Sequence, residues 1–170
     1  MEKSLDFQQS IIQYLDRLYE NEDKRLEIIE SKVSQLIAQS GIVISLISFL
    51  IPLMYDKLLE ANCTFKILLF MTFMLMLFYL GKSIFEASKI QKVSSFRYMD
   101  CSPMTIDQVF DSHEKFNAEY ISDLRKSIEN NKKVNNKKAE ILMNANRFFI
   151  YGIFCVMFLS AILMINYYFS

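Results

Sequence analysis

Glycine and proline are nearly missing from this chain, with three Gly and two Pro in 170 residues. That scarcity leaves no glycine-rich loop to cradle a phosphate and few helix breakers, so the chain reads as all-α. Cysteine is sparse as well. Cys63, Cys101 and Cys155 are too scattered for a disulfide framework or a metal site, and no Cys–His cluster exists. The single histidine, His113, lies near Asp111 and Glu114 and reads as an ordinary surface or packing residue. No nucleophile stands beside a base, so the sequence points away from an enzyme and implies no cofactor and no metal. Neither sign of charge is in excess, at 19 basic and 19 acidic residues, and the total points to no nucleic-acid partner.

Charge is also missing from whole stretches. Residues 1–40 carry five Lys/Arg and eight Asp/Glu, and residues 82–147 carry twelve and nine. The other 64 residues hold only Asp56, Lys57, Glu60 and Lys66. A soluble domain rarely segregates charge in this way. Val33–Tyr55 is a charge-free run of 23 residues, and a membrane span needs about 20, covering roughly 30 Å. Pro52 falls near its outer end, where a distortion costs little. Ile67–Gly81 is a run of 15 between Lys66 and Lys82, covering about 22 Å. Snorkelling lysines and flanking apolar residues let it span. Phe148–Ser170 is a third run of 23, with Tyr151 near one end and Tyr167 and Tyr168 near the other, as in interfacial belts.

The expected layout has five parts. Residues 1–38 form an amphipathic helix, 39–85 a transmembrane hairpin, 86–103 an irregular connector, 104–147 a long helix, and 148–170 the third span. The first thirty residues hold no apolar h-region, so no signal peptide is expected. Lys82, Lys89, Lys92, Arg97, Lys132, Lys133, Lys137, Lys138 and Arg147 put residues 82–147 in the cytoplasm by the positive-inside rule. The N-terminus is then cytoplasmic and the C-terminus external or periplasmic.

Both charged segments read as long helices continuous with spans one and three. In the first, Ile11, Leu15, Leu18, Leu26, Ile29, Val33 and Leu36 recur at helical spacing, with Glu22 as an interruption. Its polar face is acidic, which favours packing on protein over lying on lipid. Ahead of the second, Ser102–Pro103 and Thr105/Gln108 are competing N-terminal caps. One register of that helix reads Asn117, Ile121, Leu124, Ile128, Asn131, Asn135, Lys138, Leu142, Ala145, Phe149, spaced almost wholly by alternating fours and threes. This is a coiled-coil-like seam with a polar middle. Asn131, Asn135 and Lys138 there either select register or form a polar site for an anion or signal. The lysines nearby also suit anionic lipid headgroups. Two such helices can pack in parallel as a stalk, and a change in stalk packing would tilt or rotate the spans.

Span one carries a small-residue stripe, Ser34, Ala38, Gly41, Ser45, Ser48 and Pro52, with every gap three or four. Small residues let helices approach closely. The stripe serves packing within one chain, or an oligomer face that lines a water-filled path. No Asp, Glu, Lys, Arg or His lies in any hydrocarbon core, so a proton relay or a carboxylate selectivity ring is unsupported.

Lys32-Val-Ser-Gln-Leu-Ile-Ala-Gln-Ser-Gly41 entering span one, and Tyr120–Ala145 with Leu124, Ile128, Asn131, Lys138, Leu142 and Ala145, carry a resemblance. The layout and these stretches resemble the small transmembrane effectors of bacterial anti-phage defence, the Pycsar-type family. That resemblance implies an inner-membrane effector, inactive until infection, that then impairs the membrane. The chain differs in having an acidic helix where that family often carries a basic segment. The resulting expectation is a non-enzymatic homo-oligomer that disrupts or permeabilises the bacterial inner membrane in response to a partner or signal. Two alternatives stay open: a membrane anchor that recruits a larger soluble partner through its cytoplasmic helices, and an immunity protein against a toxin.

Overall fold

The computed structural model describes residues 2–53, 62–93 and 113–169. Three α-helices and one 3₁₀ turn account for them: α1 (Glu2–Leu53), α2 (Cys63–Ser88), the turn Lys89–Lys92, and α3 (His113–Phe169). No strand occurs among the described residues. The capping pairs Ser102–Pro103 and Thr105/Gln108, Cys101, and the loop charges Asp56, Lys57 and Glu60 lie outside the described residues.

α1 runs unbroken for 52 residues, about 78 Å, and α3 for 57 residues, about 85 Å. Neither has an interior glycine pair or central proline to break it, and Pro52 is the penultimate residue of α1. All three helices are long and apolar enough to cross a membrane. The described helices belong to two compact units.

The first unit holds α1 up to Glu30 and α3 up to Ala139. Its hydrogen-bonded pairs are Gln8 with Asn117, Asp16 with Tyr120, Glu22 with Asn135, and Glu30 with Lys138. Both numbers rise together, so the two helices run parallel there. Leu15, Leu26 and Ile29 of α1 and Leu124, Ser127, Asn131, Val134, Asn135 and Lys138 of α3 are buried in this unit.

The second unit holds α1 from Ser31, α2, the 3₁₀ turn and α3 from Glu140. Ile47, Met76 and Leu80 form its core, with Val43, Phe73, Phe149 and Val156 packed around them. On α2 the buried residues Thr72, Met76, Leu80, Ser83 and Ala87 form one narrow line of threes and fours. The rest of α2 is apolar yet exposed, including Ile67, Phe70, Met71, Met74 and Phe78. A helix apolar on its exposed sides is a membrane helix or a core helix of something larger. Ser83 Oγ donates to the Ala145 carbonyl at 2.9 Å, fastening α2 to α3 at a point where both residues are fully buried. Lys82, at the end of the apolar run, lies 5.6 Å from the Phe85 ring centroid and 5.9 Å from that of Phe148.

The expected irregular connector does not begin at residue 86. α2 continues to Ser88 and the 3₁₀ turn carries on to Lys92. The cause is local: Ala87 and Ile90 are buried, and Glu86 lies 3.3 Å from Lys82 and 2.7 Å from Lys89, one turn to either side.

Candidate functional site

Two features of this fold are unusual for a packed helical protein, one in each unit. The first is a polar layer between parallel helices. Every position of the sequence-derived seam in this unit is buried or half-buried: Asn117, Ile121, Leu124, Ile128, Asn131, Asn135 and Lys138. Asn131 and Asn135 have no exposed surface. Asn135 Nδ2 donates to Glu22 twice, to the backbone carbonyl and to carboxylate Oε2, each at 2.8 Å. Asn135 Oδ1 is buried without a hydrogen-bond partner. An orphaned acceptor of this kind costs about 1–3 kcal/mol. Asn131 Oδ1 accepts from Asn130 Nδ2 at 3.4 Å.

Around that layer the charges are paired. Lys138 Nζ donates to Glu30 Oε1 at 3.0 Å, with the lysine side chain 9% exposed and the carboxylate 57%. Arg25 lies 3.5 Å from Glu22 and donates to Asn136 Oδ1 at 2.8 Å. The arrangement places hydrogen bonds where an apolar layer would place contact area, a pattern that in coiled coils selects register at some cost in stability.

Of the four neighbouring lysines only Lys138 faces this layer. Lys132, Lys133 and Lys137 are exposed, and Lys133 bonds Glu129 at 2.8 Å. That bond and charge hold the Glu129 carboxyl below its ordinary value. The basic residues therefore do not converge on a phosphate-sized site. Glu22, read from sequence only as an interruption, is the partner of Asn135. The signal was present, since each helix carries one polar lapse in its apolar face. Ser127, also buried, had no such signal.

The second feature is the small-residue face of α1. Ser34, Ala38, Ser45 and Ser48 are exposed, and Gly41 is half-buried with no heavy atom within 4 Å of where a Cβ would stand. The side of α1 that packs inward in this unit is Val33, Leu36, Ser40 and Ile47. Ser34, Ala38, Ser45 and Ser48 therefore lie off the side of α1 that packs inward in this unit. Close approach within the unit occurs instead at Gly152, where a Cβ would fall 2.5 Å from Leu80 Cδ2. Gln35 and Gln39 are exposed beside the stripe. Two other buried hydroxyls bond back along their own helices, Ser40 to the Leu36 carbonyl and Thr72 to that of Leu68, each at 2.8 Å.

Farther along α3, Leu142 and Phe149 are half-buried and Ala145 is buried. Among the described residues no group of three or more His, Cys, Asp or Glu is placed to hold a metal ion. No protein-family model, curated protein or solved structure matches this chain.

Proposed function

We propose that this chain is a non-enzymatic membrane effector that assembles with copies of itself and permeabilises or perturbs a bacterial inner membrane when a partner or signal acts on its helical stalk. The observation that carries this reading is the uncovered face Ser34, Ala38, Gly41, Ser45 and Ser48 on an otherwise apolar helix. In lipid, small and hydroxyl-bearing faces are where helices meet, because association there rests on close contact and interhelical hydrogen bonds. A face left open by its own chain has a second copy, or water at the centre of several copies, as its natural neighbour. The lysine distribution supports a cytoplasmic stalk and an external C-terminus. The resemblance to small anti-phage effectors supplies the biological setting.

The test is membrane potential in cells overproducing the protein or its triggered form. Depolarisation and dye influx are the expected result. Leu at Gly41 and Ser45 should abolish both without lowering abundance in the membrane, because neither position packs on its own chain. Triggered cells that die with full membrane potential would exclude this mechanism. Loss of partner recruitment without any depolarisation would favour the anchor.

A further inference from the structure

In the first unit α1 has three faces, and only one of them is covered. Leu15, Leu26 and Ile29 pack towards α3, with Glu22 bonded to Asn135 on the same side. A second face carries Phe7, Tyr14 and Ile28, which are 67%, 63% and 55% exposed. With exposed Asn21 they occupy one heptad position, 7, 14, 21 and 28. Ile11 and Leu18, half-buried, lie one turn on from Phe7 and Tyr14 and widen the line. Arg17, Lys24 and Arg25 flank it. The third face carries Glu20, Asp23 and Glu27, with Glu20 and Glu27 exposed. At about 100° per residue this acidic strip lies about 130° round the helix from the Phe7–Ile28 line. No large exposed apolar residue is found on α3 between Phe116 and Ala139, so among the described residues of the unit the exposed large apolar side chains belong to α1.

We propose that the Phe7–Tyr14–Ile28 face of α1 docks side by side on the Glu20–Asp23–Glu27 strip of α1 in a second copy of this chain. The proposal rests on the membrane reading above, because copies inserted in one membrane present their α1 helices in parallel. Parallel and level, Arg17 of one copy stands opposite Glu20 of the next, and Lys24 opposite Asp23 and Glu27. The charges match with no axial shift, and the heptad line supplies the apolar contact between them. A symmetric use of the Phe7 face against itself would set Arg17 and Lys24 beside Lys24 and Arg25 of the other copy. Like charges so placed oppose association. The contact is therefore heterologous, with different faces on the two copies. Two such faces about 130° apart on one helix make successive copies turn in one direction, and a contact of that kind gives a ring where the rotation closes and an open array where it does not.

The experiment uses the full chain in mild detergent and reads mass by light scattering. Wild type should be an assembly. Arg17→Glu with Lys24→Glu should shift the mass to that of a single chain. Adding Glu20→Lys and Glu27→Lys to the same chain should restore the assembly. A second measurement uses chains with Cys63, Cys101 and Cys155 changed to Ser. Differently tagged Asn21→Cys and Glu20→Cys chains should cross-link to each other when mixed, and Asn21→Cys alone should not. Wild-type mass in the Arg17/Lys24 reversal, or Asn21–Asn21 cross-linking, would overturn this contact and leave the oligomeric reading intact. A single-chain mass for wild type would overturn both.

Discussion

Asn135 and Glu22 meet across the parallel helices with both amide hydrogens of Asn135 engaged, one on the Glu22 carbonyl and one on its carboxylate, while Asn135 Oδ1 has no partner. One polar lapse in each helix thus answers the other at the same height. Asn135 anchors the register of the pair, and its unmatched oxygen keeps that register only moderately favourable. Under the proposed function such a balance would suit a stalk that responds to a partner, because a layer of apolar contacts would hold one state more firmly.

Removing one member of this pair should weaken the stalk, and removing both should not. Glu22→Ala deletes one charge-assisted bond to a buried amide and should cost about 1–2 kcal/mol. Glu22→Leu with Asn135→Leu removes the orphaned oxygen and the buried polarity together, and its thermal midpoint should equal or exceed that of wild type. Asn131→Leu with Asn135→Leu should behave in the same way and lose the depolarisation response by locking one packing. Helical circular dichroism during heating in detergent, run beside a membrane-potential dye, reads both effects. Unchanged stability and response in every variant would show the layer to be merely wet.

Lys138 and Glu30 differ from that pair in exposure, and the two halves of the bridge should respond differently. Glu30→Gln leaves a largely buried ammonium without its carboxylate. Lys138→Met removes the buried charge and keeps the aliphatic stem, so it should be neutral or stabilising. The expected order of thermal midpoints is Lys138→Met at or above wild type, with Glu30→Gln below. The reverse order would mean that Lys138 holds something other than Glu30.

The seam on α3 was legible because its spacing alternates threes and fours, and periodicity determines which side of a helix faces inward. It gives an angle round the axis and says nothing of height along a neighbour. Pairing Glu22 with Asn135 across 113 residues needed that height, so Glu22 read only as a flaw. The same limit applied to the small face of α1. Ser34 through Ser48 could be seen to share a side, but whether that side met the chain's own helices required α2 and α3 in place. Ser127 was passed over because one buried hydroxyl within an apolar face leaves no periodic trace. The first residues after Phe85 read as irregular because their charges look like a loop. Glu86 between Lys82 and Lys89 instead extends the helix.

The proposed topology rests on the lysines and is open to a direct check. Cys63 is exposed at the start of α2, on the short link between spans one and two. A membrane-impermeant maleimide added to intact cells should label it. Cys101, in the lysine-bearing segment after span two, should react only after the membrane is opened. Labelling of Cys101 from outside would invert the orientation and place the stalk on the other side.

Gly41 and Gly152 test the division between faces most sharply, because the same substitution should do different things at the two sites. At Gly152 a Cβ would lie 2.5 Å from Leu80 Cδ2 and 2.8 Å from its Cγ, and Leu80 is fully buried. Leu80 must shift within a packed core to admit it, so Gly152→Ala should loosen the contact of α2 with α3 and destabilise the second unit by about 1–3 kcal/mol. Gly152→Val should do so more strongly and lower abundance in the membrane. At Gly41 a Cβ meets nothing within 4 Å. Gly41→Ala should leave thermal unfolding unchanged or raise it slightly, since alanine favours a helix by up to about 1 kcal/mol. Gly41→Leu should also fold and insert normally. It should nevertheless lose depolarisation and change the assembled mass, because the added bulk projects where a second copy would approach. A Gly41→Leu chain that keeps both wild-type mass and wild-type depolarisation would show that this face meets only lipid.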